Sequence, residues 1–135
     1  MRRLFADTYF FYAFLNADDL AHGKAIAVSE IGTVNLLTTE WVLTELADGL
    51  ARVGDRQKFI EFHQELRDDS RVTILSSDGR LFLDGVNLYA SRLDKEWTLT
   101  DCISFVVMRR EELTEALTGD RHFEQAGFQA LFLER

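Results

Sequence analysis

The chain has 135 residues, 47% of them hydrophobic, with 11 Phe and a net charge of −8 from 15 basic and 23 acidic side chains. That apolar content is enough for a real core and argues against disorder, while the acidic balance argues against nucleic-acid binding through a general basic field. No apolar run reaches the roughly 20 residues that span a bilayer, so no membrane association is expected.

The opening MRRLFADTYFFYAFLN has two arginines and an apolar stretch, but Asp7 interrupts it and no small-residue cleavage site follows. Cys102 is the single cysteine, which excludes an internal disulfide and fits a reducing, cytoplasmic location. There is no Pro, where average usage of about 5% would give roughly seven, so turns rest on Gly, Asp, Asn and Ser.

Taken in chain order, RRLFA (2–6) reads as a strand ending at Asp7, and TYFFYAFLN (8–16) as a helix more apolar all round than a surface helix needs. A second helix is expected over 19–32 and a strand at VNLLT (34–38). The next helix, 39–53, carries Trp41, Val42, Leu46, Leu50 and Val53 at helical spacing, and 55–69 carries Phe59, Phe62 and Leu66 on one stripe. RVTIL (71–75) is a strand, and 78–93 a helix with Leu81, Val86 and Tyr89 inward. A helix over 100–112, a strand at LTEALT (113–118), a short helix at HFEQA and a strand at FQALFL (128–133) finish the pattern. Strands separated by helices give an α/β fold, a three-layer α/β/α sandwich with a parallel sheet, and one domain over 1–135. In such sheets the ligand site lies beyond the carboxyl ends of the strands.

Four acids meet that test. Asp7 follows the first strand directly, Asp120 follows LTEALT after one residue, and Asp101 opens the helix 100–112. Glu45 lies three residues after Val42 and four after Trp41, on their inward side. Singly, each aspartate has a capping use: Asp7 at a strand end, Asp101 in a Thr98-x-x-Asp101 capping box, and Asp120 ahead of RHFEQ, at about 1 kcal/mol each. Together at one sheet edge they repel, by about 4 kcal/mol for two unit charges roughly 4 Å apart at an effective dielectric of about 20. Independent caps have no reason to accept that cost. A site for a hard divalent cation, Mg²⁺ or Mn²⁺, does, and such an ion polarises a phosphodiester and activates water.

These pieces carry a resemblance. The strand followed by FADTYFFYAFLN, the inward Glu of TTEWVLTELADGL, the run EWTLTDCISFVVM and the ending ALTGDRHFEQAGF together resemble PIN-domain proteins, most of all VapC-type toxins of toxin–antitoxin pairs. The resemblance covers essentially the whole chain. It implies a five-stranded parallel sheet and a Mg²⁺- or Mn²⁺-dependent endoribonuclease that leaves a 5′-phosphate and a 3′-hydroxyl. It also implies that Asp7, Asp101 and Asp120 hold the metal directly or through water, while Glu45 holds a metal-bound water. Thr8 and Thr118 map to the family's supporting hydroxyls, and Glu124 to a further acid found in some relatives. A homodimer and a short antitoxin partner are implied as well.

Ser104, one turn after Asp101 on the same face, is a candidate to support its carboxylate or to bond back to its own helix. His122 is expected to pack on the short helix, with Arg121 a candidate for substrate phosphate. Asp94 and Glu96 read as loop charges, Asp94 with a possible reach toward the site. The alternative function is a catalytically silent binding module of the same fold in a protein–RNA complex. A phosphotransfer enzyme using Asp7 as nucleophile fits less well, because a phosphatase of the haloacid-dehalogenase type needs a second Asp where Tyr9 stands.

Overall fold

Leu4, Phe5 and Ala6 are consecutive, and each is 2% exposed or less. Successive strand residues face opposite sides, so this strand is covered on both faces. In the computed structural model, which describes residues 2–134, it is β1 (Arg2–Ala6). The chain continues through α1 (Thr8–Leu15), α2 (His22–Ser29), β2 (Val34–Thr39), α3 (Glu40–Gly49), α4 (Arg56–Asp68) and β3 (Val72–Leu75). It ends with α5 (Gly79–Ser91), α6 (Leu99–Arg110), β4 (Glu115–Leu117), α7 (Arg121–Gln125) and β5 (Gln129–Ala130). Positions 1 and 135 of the expected 1–135 domain lie outside the described residues.

The five strands form one sheet in the order β3-β2-β1-β4-β5, and every pairing is parallel. The three-layer α/β/α architecture read from the sequence is therefore the one observed. From β1 the chain first builds outward to β2 and β3, then returns to lay β4 on β1's other side. That reversal is the topological switch point of an open parallel sheet, where ligands sit outside the strand ends. Asp7 follows β1 and Thr118 follows β4, so the switch point falls between them.

Aromatic rings fill the core. Phe105 meets Phe123 edge-on at 4.9 Å and Trp97 at 5.1 Å. A second group joins Phe10 to Phe11 at 5.5 Å and Phe11 to Phe62 at 5.6 Å. Most of the aromatic segment of α1 is thus core, with Tyr9 left partly exposed. With no Pro available, side-chain caps start the helices: Thr39 for α3, Asp78 for α5, Thr98 for α6 and Asp120 for α7.

Several element bounds differ from the sequence reading. The expected helix over 19–32 begins only at His22, because Asp19 Oδ1 accepts the Ala21 N–H at 2.8 Å and folds the preceding residues into turns. The helix expected to reach Val53 stops at Gly49, leaving Val53 97% exposed. On α5 the inward stripe is Leu81, Gly85 and Leu88, and Tyr89 faces out. The final strand shrinks to two residues, because Leu133 N–H bonds to Ala130 O and turns the chain.

Gly85 lets α5 lie close against α6: a Cβ there would stand 2.4 Å from Ile103 Cγ1. Gly85→Ala is expected to cost about 1–3 kcal/mol by overpacking, read from urea unfolding. In an Ile103→Ala background the same change should cost at least about 1 kcal/mol less, because the clashing atom is gone.

Candidate active site

Asp7 ends β1 and precedes α1, but its side chain makes no cap hydrogen bond there. Its Oδ2 instead accepts from the Thr118 hydroxyl at 2.9 Å, across 111 residues of sequence. The same Thr118 oxygen accepts the Asp120 N–H at 3.1 Å. One fully buried hydroxyl thus ties the end of β1 to the loop after β4. Asp120 does cap α7, its Oδ1 accepting the His122 N–H at 2.9 Å.

Asp101 sits in the first turn of α6 inside a complete capping box with Thr98: its N–H donates to Thr98 Oγ1 at 3.0 Å and its Oδ2 accepts the Thr98 N–H at 3.1 Å. Capping does not exhaust it, because Oδ2 also lies 3.0 Å from His122 Nδ1. That imidazole nitrogen is 3.4 Å from Asp120 Oδ1. Glu45, half-buried on the inner side of α3, accepts a short hydrogen bond from the Thr8 hydroxyl.

The acids feel one another's charge, Asp7 that of Asp101 and Glu45, and Asp101 that of Asp120, while Asp101, Asp120 and His122 bring ligand atoms within 4.8 Å of one another. Asp7 and Asp101 are only 6% and 7% exposed. Burial pushes the Asp7 carboxyl from an ordinary 3.8 up to about 7; the Thr118 hydroxyl pulls it down, and the charge of Asp101 and then that of Glu45 add to the rise. The net change is roughly 4 kcal/mol against the charged form, so the hydrogen bond from Thr118 does not offset burial. Asp101 is raised too, mainly by burial, with the Thr98 N–H and His122 opposing and Asp120 adding. Among the described residues no Lys or Arg forms an ion pair with any of the four acids.

This donor set suits a hard divalent cation, which takes carboxylate oxygens and supplies the missing positive charge. Ser104 is buried as well. Its hydroxyl is fully buried one turn along α6 from Asp101, bonds neither to that carboxylate nor back to its helix, and has no hydrogen-bond partner among the described residues. The other candidates fall outside the cluster. Glu124 Oε2 accepts the Ala130 N–H at 3.0 Å and joins α7 to β5. Asp94 is held in an exposed pair by Arg92 at 3.0 Å.

His122 is the residue the sequence reading missed. It was expected to pack on α7, and it faces two of the acids instead. The available signal was the Asp-x-His spacing at a helix start, since an N-cap aspartate draws the second following residue toward itself.

The PIN domain family model matches residues 4–129. Among solved structures, the VapC20 toxin of Mycobacterium tuberculosis, which cleaves the sarcin–ricin loop, superposes with a TM-score of 0.82 at 26% identity, over 93% of this chain and 95% of that one. VapBC2 of Rickettsia felis, solved on a DNA fragment from its promoter, gives 0.68 at 12% identity over 95% and 96%. FitAcB of Neisseria gonorrhoeae gives 0.63 at 22% identity over 94% of each chain. No curated protein sequence matches the chain. The match over residues 4–129 makes the chain a member of the PIN domain family, folded like the VapC-type toxins.

Proposed function

We propose that this chain is a divalent-metal-dependent endoribonuclease acting as the toxin of a toxin–antitoxin pair, in which residues 1–135 work as one domain. The observation that carries the reading is the pair of buried carboxylates Asp7 and Asp101 at the sheet's switch point, without a Lys or Arg ion-paired to them among the described residues. Membership of a nuclease family and the likeness to an RNA-cleaving toxin support it. A cognate antitoxin, a second copy of the chain and a cytoplasmic setting belong to the same proposal. No helix among the described residues is long and apolar enough to cross a membrane.

In this reading Asp7, Asp101 and Asp120 would hold the cation, and Glu45 would orient the attacking water and take its proton. A bound Mg²⁺ or Mn²⁺ supplies charge neutralisation at the phosphodiester and lowers the pKa of water. Thr8 aims the Glu45 carboxylate, and Thr118 fixes Asp7 and the Asp120 loop relative to each other. In-line attack by that water at phosphorus would break the P–O3′ bond and leave a 5′-phosphate, the departing O3′ taking a proton from solvent to become the 3′-hydroxyl.

Purified protein with Mn²⁺ should cut RNA. Asp7→Asn should lower the rate by more than about 100-fold, whereas Thr118→Val, which removes only a support, should lower it about 10–100-fold. Full activity of Asp7→Asn would overturn the assignment of Asp7, whereas a wild type that neither cuts RNA nor binds Mn²⁺ in calorimetry would favour the silent binding module.

Asp7 also sets a pH dependence. Its folded pKa, about 7, lies above the ordinary 3.8 expected for the unfolded chain, so between those values the native state holds a proton that the unfolded state has released. This contribution to stability therefore falls as pH rises from about 4 to 7. The metal-free Tm is expected to drop between pH 5.5 and 8, and Asp7→Asn should flatten that slope in differential scanning calorimetry. Mn²⁺ should raise Tm more at pH 8 than at pH 5.5.

A further inference from the structure

We infer that His122 is a nitrogen ligand of the divalent cation and that, with Asp101 and Asp120, it makes a mixed nitrogen–oxygen donor set favouring Mn²⁺ over Mg²⁺. The inference rests on the metal-dependent reading above and goes beyond it by naming a non-acidic ligand and an ion preference.

Spacing is the first argument. His122 Nδ1 lies 3.0 Å from Asp101 Oδ2 and 3.4 Å from Asp120 Oδ1. One ligand atom from each of the three side chains falls within 4.8 Å of the others. Neighbouring corners of an octahedron built with bonds of about 2.1 Å are about 3 Å apart. The imidazole nitrogen thus stands at about the separation of adjacent ligands from one oxygen of each aspartate.

The second argument is that the imidazole is held. Asp120 Oδ1 accepts the His122 N–H, and Asp120 N–H bonds to Thr118. The next residue, Phe123, is fully buried against Phe105 at 4.9 Å and anchors α7 to the core. The ring nitrogen faces two carboxylates but has at most one hydrogen to give them. One turn along α6 from Asp101, the Ser104 hydroxyl is buried without a hydrogen-bond partner among the described residues.

The chemistry then sets the preference. Mg²⁺ and Mn²⁺ both favour carboxylate and water oxygens, but Mn²⁺, at the weak end of the first-row transition series, accepts an imidazole more readily than Mg²⁺ does. A single nitrogen among carboxylates shifts the balance toward Mn²⁺ without giving up the hard-oxygen character that phosphodiester chemistry needs.

The test is pulsed electron paramagnetic resonance of Mn²⁺ bound to the whole protein, with calorimetric titrations of Mn²⁺ and Mg²⁺. The wild type should show ¹⁴N modulation from one imidazole. His122→Gln should lose it and weaken Mn²⁺ binding about 10–100-fold, with Mg²⁺ binding changed less than about threefold. A His22→Gln/His63→Gln variant, which keeps only His122, should retain the signal even if His122→Gln fails to fold. Absence of nitrogen modulation in the wild type, its persistence in His122→Gln, its loss from the double variant, or an equal loss of both ions overturns the inference. RNA cleavage without nitrogen modulation sinks the His122 assignment alone. Nitrogen-ligated Mn²⁺ on a protein that leaves RNA intact sinks the nuclease reading alone.

Discussion

A carboxylate buried at the end of the central strand is the constraint around which the rest is arranged. Asp7 comes directly after Phe5 and Ala6, both fully buried, so the chain has no freedom to lift it into water. What reaches it is Thr118, delivered by the strand on β1's other side. Strand order is therefore not neutral with respect to the site. Only a sheet that reverses its direction of growth at β1 sets residues 7 and 118 side by side. On the opposite flank the buried Thr38 hydroxyl donates to Ala6 O at 2.9 Å and fixes the last residue of β1 from the side of β2.

A cluster that repels itself has to sit on something rigid. Phe105 and Phe123 meet beneath the α6–α7 junction, and Phe10, Phe11 and Phe62 fill the space under α1 and α4. Aromatic pairs of this kind contribute about 0.5–1.5 kcal/mol beyond the area they bury, and several are needed against the roughly 4 kcal/mol opposing the Asp7 charge. Helix α6 shows the division of labour in one element. Its first turn presents Asp101, and the following turns bury Ile103, Phe105, Val107 and Met108.

The strand-and-helix alternation was legible in the sequence, and with it the sheet edge where Asp7 and Asp120 emerge. Glu45 was legible from its phase on an apolar helix face, and Asp101 from its place three residues after Thr98. Residues whose role depends on a partner far away in sequence were not. Tyr89 has the right spacing for an inward stripe, but Gly85 draws α6 so close that Leu88 takes the inner position. The Asp-x-His spacing sets the His122 backbone beside Asp120, but the aim of the ring toward Asp101 also depends on how Phe123 seats α7 over α6. Ser104 was read as a partner for Asp101 or for its own helix, and its lack of either is a property of three-dimensional surroundings.

The Thr118–Asp7 bond also has a consequence in time. A ribosome makes Asp7 first and Thr118, Asp120 and His122 more than a hundred residues later. Domains fold as units, so until the end of the chain has been made the acidic centre lacks one whole side. The incomplete centre has Asp7, Glu45 and then Asp101, but neither the hydroxyl that orients the first nor the loop that carries the fourth. Competence at this site is thus a late event in the life of each molecule, reached only when nearly the entire polypeptide is free to close the sheet.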